Sequence, residues 1–407
     1  MISRMRTYRE LFRTPEFGAL FGAFSAQVAA NTVAGLALGV LVFEATGSPL
    51  LSALSMFGTT FAQLLGATLL MSAADRLPPR AAMTWAGLLF AAGTAALALP
   101  GMPVWGLLAV VLSLGLVASV GGGVRLGLLS EVLPREGYLL GRSVMNMAAG
   151  VVQIGGFGLG GLLVAVLSAR GTLLCAVALN LLGAAAAWFG LSSRAPRATG
   201  RASVRETWRV NRLLWSSVPR RYAFLAMWVP NGLIVGAEAL FVPYSPTHAG
   251  TLMALAAVGM LAGDTLVGRF LSAGVRRRLG VPLLVLLAAP YLVFAVDPPL
   301  PVVAVATLVA AVGYGSSLVA QELLMDLTPD EMHGQALGLH SSGMMAMQGV
   351  AATVAGAVAQ RTSPETGIVV MAAASLVVTL LLAPGLRPGR TGRPSPADDG
   401  AGAAVRT

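Results

Sequence analysis

The chain has 407 residues, of which 56% are hydrophobic and only 11% charged, and its mean hydropathy is +0.78. A water-soluble domain cannot hide that much apolar surface, so soluble enzymes and soluble binding modules are excluded. The net charge of +10 is carried by arginines in short stretches beside apolar runs, which fits anionic lipid headgroups and excludes nucleic acid as the partner.

Twelve apolar stretches follow one another at about 17–43, 50–73, 81–100, 103–124, 143–168, 171–192, 222–244, 248–271, 280–296, 300–325, 335–359 and 365–385. A hydrocarbon core about 30 Å thick needs about 20 apolar residues per helical crossing, and each stretch supplies them. The runs are continuously apolar rather than alternating, which predicts α-helices and not a barrel. Four arginines precede the first run, and no small-residue cleavage site follows, so an uncleaved first helix is expected. Of the 27 basic residues, all but Arg170 and Arg361 fall on one side of such a bundle. The positive-inside rule then places both termini in the cytoplasm of a multi-pass inner (plasma) membrane protein. The absence of lysine and the abundance of Arg, Ala and Gly suggest a GC-rich bacterial source. Cys175, alone and inside the sixth run, excludes an intramolecular disulfide.

The expected organisation is a six-helix bundle over 1–192, a cytoplasmic linker over 193–221, a second six-helix bundle over 222–387 and a disordered tail over 388–407. In the linker, Arg205, Trp208, Leu213 and Trp215 fit either a short amphipathic helix on the inner leaflet or a solvated tether. Glu131-Val-Leu-Pro-Arg-Glu136, after the fourth run, recurs 195 residues later as Asp326-Leu-Thr-Pro-Asp-Glu331, after the tenth. Each copy is followed by a glycine-bearing run (Gly141, Gly334). A six-span duplication is an architecture of transporters, in which two similar bundles rock about a midplane site.

Four local patterns carry a resemblance. Ala74-Asp75-Arg76 with Arg80, between the second and third runs, is similar to motif A of the major facilitator superfamily, with Pro78 and Pro79 in place of Gly and Arg. Gly156, Gly160 and Gly161 in the fifth run resemble its antiporter motif C, with Val152 and Phe157 where that motif has Gly and Pro. Glu44-Ala-Thr-Gly-Ser48 looks like a turn common in drug-efflux-like members, and Arg125 through Pro134 resembles a segment of the same members. The likeness covers nearly all of residues 10–387. It implies a twelve-helix, all-α major facilitator fold that works as a monomer. It also implies a charge latch at Asp75, Arg76 and Arg80, and a packing seam at Gly156, Gly160 and Gly161.

Ionisable groups inside spans are costly and mark cavities or partners. Glu238, with Asn231 seven residues earlier on the same helical face, reads as a substrate or proton site or as a structural carboxyl. Gln27 and Asn31 form a polar stripe in the first run, and His340 adds a titratable group in the eleventh. Arg125, Asp264 and Glu322 are candidates for gating ion pairs. No phosphate-binding loop, metal-spaced cluster, nucleophile elbow or dinucleotide fingerprint occurs, so no catalytic residue, metal or cofactor is expected. The leading expectation is a proton-coupled antiporter that exports a small, largely apolar organic compound. A proton-coupled importer of the same fold and a binding or sensory protein that no longer transports are the alternatives.

Overall fold

The computed structural model describes residues 8–74, 77–196, 204–329 and 332–386, and in these every regular element is helical. The first half contains α1 (Tyr8–Arg13), α2 (Phe17–Thr46), α3 (Pro49–Ala74), α4 (Pro79–Leu97), α5 (Val104–Val132) and α6 (Arg135–Gly190). Prolines punctuate it: Pro49 and Pro79 open α3 and α4, while Pro103 and Pro134 stand just before α5 and α6. Proline's fixed φ suits a helix start, where the missing N–H costs nothing.

α6 is 56 residues long, which straight would be about 84 Å, far more than a bilayer. It breaks at Ser168 (φ 72°, ψ 166°), in a region of backbone space that side chains strain to occupy. The two arms, 135–167 and 169–190, fold back on each other. Val144 and Met145 of one arm and Ala187 and Leu191 at the end of the other share one core cluster with Phe17 and Leu20. Leu173, just past the break, packs instead with Leu38 and Val42. The expected fifth and sixth spans are these two arms.

The second half contains α7 (Val204–Ser216), α8 (Val218–Glu238), α9 (Phe241–Tyr244), α10 (Ala249–Thr265), α11 (Ala273–Ala288), α12 (Leu300–Val312), α13 (Ser316–Asp326), α14 (His333–Arg361) and α15 (Pro364–Leu382). α10 runs on as a π-helix, Leu266–Phe270, and α11 as a 3-10 helix, Ala289–Val296. A 3-10 turn, Gly313–Gly315, joins α12 to α13 within one crossing. Among the described residues nine helical segments are long and apolar enough to cross a membrane, with α6 counted once. Separating its arms and adding α3 and α4 is consistent with twelve crossings. Phe189, Trp105 and Val166, at 70–85% exposure, belong to an apolar outer surface that only lipid would cover.

The helix α7 lies in the expected linker, and α8 begins at Val218, four residues before the expected boundary. Leu214 is fully buried, and Trp215 stacks on Trp228 of α8 at 5.5 Å. Arg220 fixes the end of α7 by donating to the carbonyls of Leu213, Leu214 and Leu327 at 3.1–3.3 Å. The side chains of Arg205 and Trp208, and the whole tail from residue 387, lie outside the described residues.

The halves lock together at the end of the bundle that carries the 47–48, 168 and 362–363 turns. A Cβ on Gly250 would lie 2.6 Å from Cα of Gly161, and one on Gly356 would lie 2.7 Å from Cα of Leu50. Ser48 Oγ donates to Gln360 Oε1 at 2.6 Å across the same seam. Gly47, at φ 62°, caps α2 with its N–H on Phe43, and Ser48 Oγ accepts from Leu51 N to start α3. The Thr-Gly-Ser-Pro turn thus serves both as a helix stop-start and as a bridge to the other half.

At the opposite end, where both described chain ends lie, ion pairs between described residues stay within one half. Arg277 meets Asp326 in the second half. In the first, Glu16 accepts from Arg194 Nη1 (2.6 Å) and Nη2 (2.9 Å) and from Ser192 N and Oγ, while Arg194 also reaches Glu131. These bonds staple the start of α2 to the end of α6. The hydrogen bonds from Arg194 hold the Glu16 carboxyl at about 2, well below its usual 4.5. A depressed folded-state value stabilises the fold above the unfolded value, and that stability is lost as pH falls through the folded one. The thermal midpoint of the wild type should therefore converge on that of Glu16→Gln between pH 4.5 and 2. A midpoint difference that stays constant over that window would show the staple to be idle.

Candidate functional site

The carboxyl of Glu238 gathers side chains from separate elements of the second half. It stands at the last residue of α8, where that helix breaks before α9, and two other helix irregularities converge on it. Tyr291, in the 3-10 extension of α11, donates its phenol to Oε1 at 3.0 Å. Tyr314, in the 3-10 turn between α12 and α13, donates to the same oxygen at 3.1 Å. Glycines make the convergence fit: a Cβ on Gly315 would lie 2.9 Å from the carbonyl oxygen of Gly263 in α10. Both phenols are buried, while Glu238 itself keeps partial exposure. The carboxyl points into its own half, toward α11 and α12. It also lies about 30 Å along α8 from Val218, nearer the sealed end than the middle.

Asn231, one face with Glu238 but two turns earlier, is buried and accepts from Gln348 Nε2 of α14 at 3.3 Å. It follows Pro230, whose carbonyl accepts from Ser375 Oγ at 3.3 Å. α8 and α14 pack tightly here, a Cβ on Gly236 lying 2.7 Å from the carbonyl of Ala351. The first half has the same contact with the sizes exchanged, since Gly156 of α6 sits against Thr32 of α2 at 3.0 Å for an added Cβ. Gly156 and Ala351 are 195 residues apart, the offset that relates the two Pro-centred loops.

In the first half, Gln27 Nε2 bonds to Asn31 Oδ1 at 3.0 Å and to Asn180 Oδ1 of α6 at 3.1 Å. Asn180 is 1% exposed, and its Nδ2 has no partner among the described residues. Arg125 lays its guanidinium on the ring of Phe24, with Cζ 4.3 Å from the centroid. A cavity of ≈ 80 Å³ between α2, α3, α4 and α5 is lined by Asn31, Thr59 and Gln63 and by the apolar Leu38, Met56 and Leu114.

The remaining expected site residues are dispersed. Glu322 pairs with Arg276 of its own half at 3.2 Å. Asp264, one residue before the end of α10, has no polar partner among the described residues, although Arg269 is near in sequence. Asp75 and Arg76 fall outside the described residues, while Arg80 stacks on Trp188 of its own half at 4.3 Å. His340 is buried, its Nδ1 without a partner and its carbonyl accepting from Trp228 Nε1 at 3.0 Å. Of Gly156, Gly160 and Gly161, only Gly161 abuts the other half. Gly156 is tight on Thr32, and at Gly160 an added Cβ would make ordinary contacts of 3.5–3.6 Å. The arm carrying them has no kink before Ser168, as befits the missing proline.

Sequence reasoning passed over Tyr291, Tyr314, Asn180, Gln348's partner and Gln360. A signal existed for the tyrosines: of the six in the chain, four fall in the apolar stretches, and Tyr291 and Tyr314 lie in their interior rather than at an end, where a phenol needs an acceptor.

Residues 223–406 match the family model described as Major Facilitator Superfamily. No curated protein matches the sequence. Solved structures do. The nucleoside transporter NupG superposes with a TM-score of 0.73 at 14% identity, over 91% of this chain and 98% of that one. A POT family transporter in complex with a thioalcohol-conjugated peptide gives 0.70 at 12% identity, over 91% and 96%. A bacterial homologue of the human lysosomal transporter Spinster, in an inward-facing and unoccupied conformation, gives 0.69 at 13%, over 91% and 96%. The chain has the major facilitator fold.

Proposed function

We propose that this major facilitator fold is a secondary active transporter that exports a small, largely apolar organic compound in exchange for protons. The family match over the second half and the transporter structures that share the fold support transport rather than catalysis. The observation that carries proton coupling is Glu238, an acid within a span held by two phenols at the meeting point of three helix irregularities. It faces its own half, which suits a proton carrier better than a direct substrate ligand. Asn231 and Gln348 in the second half, and Gln27 and Asn31 in the first, supply uncharged polar groups. The lock at the turn end, with ion pairs confined to each half at the other, is one of the two states that alternating access requires. Motif A's latch, with Asp75, Arg76 and Arg80, belongs to closure of the other end, in the inner membrane with both termini cytoplasmic.

Proteoliposomes test this reading. An acid lumen should drive accumulation of apolar organic probes into the lumen, relative to protein-free vesicles. Accumulation driven by an acid exterior instead would establish the importer. Ligand binding with no flux under either gradient would establish a non-transporting receptor.

A further inference from the structure

Arg125 is a cation in an apolar helix, seven residues or about 10 Å from the end of α5. Intramembrane arginines are kept where they serve a partner. No carboxylate partners Arg125 among the described residues, and Glu16 and Glu131 of the same half are held by Arg194. Phe24 covers one face of the guanidinium, which leaves the edge, with its fan of N–H donors, for an acceptor lying in its plane. The residue is partly exposed and turned toward α2, a helix that borders the other half, rather than toward lipid.

What lies beyond it along α2 is graded. One turn on from Phe24, Gln27 joins Asn31 and the buried Asn180, whose Nδ2 is an unused donor. Asn31, two turns or about 10 Å from Phe24, also lines the ≈ 80 Å³ cavity, whose walls combine the apolar Leu38, Met56, Phe90 and Leu114 with Thr59 and Gln63. A cation, a step of amide groups and a largely apolar cavity with a few hydroxyl and amide groups thus succeed one another along α2.

We infer that Arg125 is the head-group site for a monocarboxylate, whose apolar body runs along α2 past Asn31 into this cavity. A single planar guanidinium offers a carboxylate a two-pronged match, which suits one carboxylate better than a phosphate or a dicarboxylate. The inference deepens the transporter reading by giving the exported compound its class: an apolar-bodied organic acid.

The test uses the full chain in detergent with 4-butylbenzoate and 4-butylbenzamide, which share a shape and differ in charge. The benzoate should bind and raise the thermal midpoint, whereas the amide should not. Arg125→Gln should weaken benzoate binding by about 10- to 100-fold, the worth of a charge-assisted hydrogen bond, and Arg125→Lys should recover part of it. Gly35 lines the cavity and has open space around an added Cβ. Gly35→Leu should weaken 4-butylbenzoate while sparing unsubstituted benzoate, and it guards against a misfolded Arg125 variant. Equal binding of the amide, or unchanged binding in Arg125→Gln, would overturn the assignment. Carboxylate binding without flux in vesicles would leave the site standing and remove the transporter reading instead.

Discussion

Gly250→Val should leave the protein unable to close its turn end. The Cβ it adds would sit 2.6 Å from Cα of Gly161 and 2.8 Å from the carbonyl oxygen of Phe157, both backbone atoms of the other half that cannot swing aside. Overpacking of this kind costs about 1–3 kcal/mol, which shifts an equilibrium between two bundle arrangements by about 5- to 150-fold toward the one without the contact. The Ser48–Gln360 bridge reads the shift directly. With Cys175 replaced by Ser, a Ser48→Cys, Gln360→Cys pair should crosslink efficiently in the parent and poorly with Gly250→Val. Gly158→Val is the control, since its added Cβ would meet only Ala254, at 3.8 Å. Flux should fall with Gly250→Val and survive Gly158→Val. Undiminished crosslinking in Gly250→Val would mean that the glycine contact does not set the seal.

The second large effect is expected at Glu238. Glu238→Gln keeps an oxygen for Tyr291 and Tyr314, so the fold should hold, but the group can no longer exchange a proton. Proton-driven accumulation should fall to the protein-free level while substrate exchange across the vesicle continues. Glu238→Ala differs in kind, because it strands two buried phenols at about 1–3 kcal/mol each and should lower the thermal midpoint markedly. Tyr291→Phe with Tyr314→Phe should restore part of that loss in the Ala background, since no unpaired hydroxyl remains. Full proton-driven accumulation by Glu238→Gln would move the coupling role elsewhere, with Asp264, which has no polar partner among the described residues, the first residue to examine.

Much of the architecture could be read from residue order because local chemistry dictates it. Apolar runs near 20 residues force helices in lipid, and prolines and glycines mark their limits. The turn expected between 168 and 171 falls at Ser168. The site was less legible. Glu238 stood out as an acid in a span, but its phenols come from 53 and 76 residues away, and Asn180 reaches Gln27 across 153. Helical periodicity tells which residues share a face and is silent on which face meets which neighbour. The fifth-run glycines illustrate the limit: three similar signals serve a tight intra-half contact, a loose one and the seam. Glu322 likewise has its partner, Arg276, inside its own half.

The π-helix at 266–270 and the 3-10 stretches at 289–296 and 313–315 all belong to the second half, whereas α2 through α5 are uninterrupted. Departures from α-geometry in mid-span are where a helix bends at low cost. The two halves are therefore built unequally despite the short pattern they share in sequence: the described spans of the first are regular apart from the turn at Ser168, whereas those of the second carry such joints, two of them beside Glu238. If Glu238 carries the transported proton, as proposed, its gain or loss would act on the half that holds these joints.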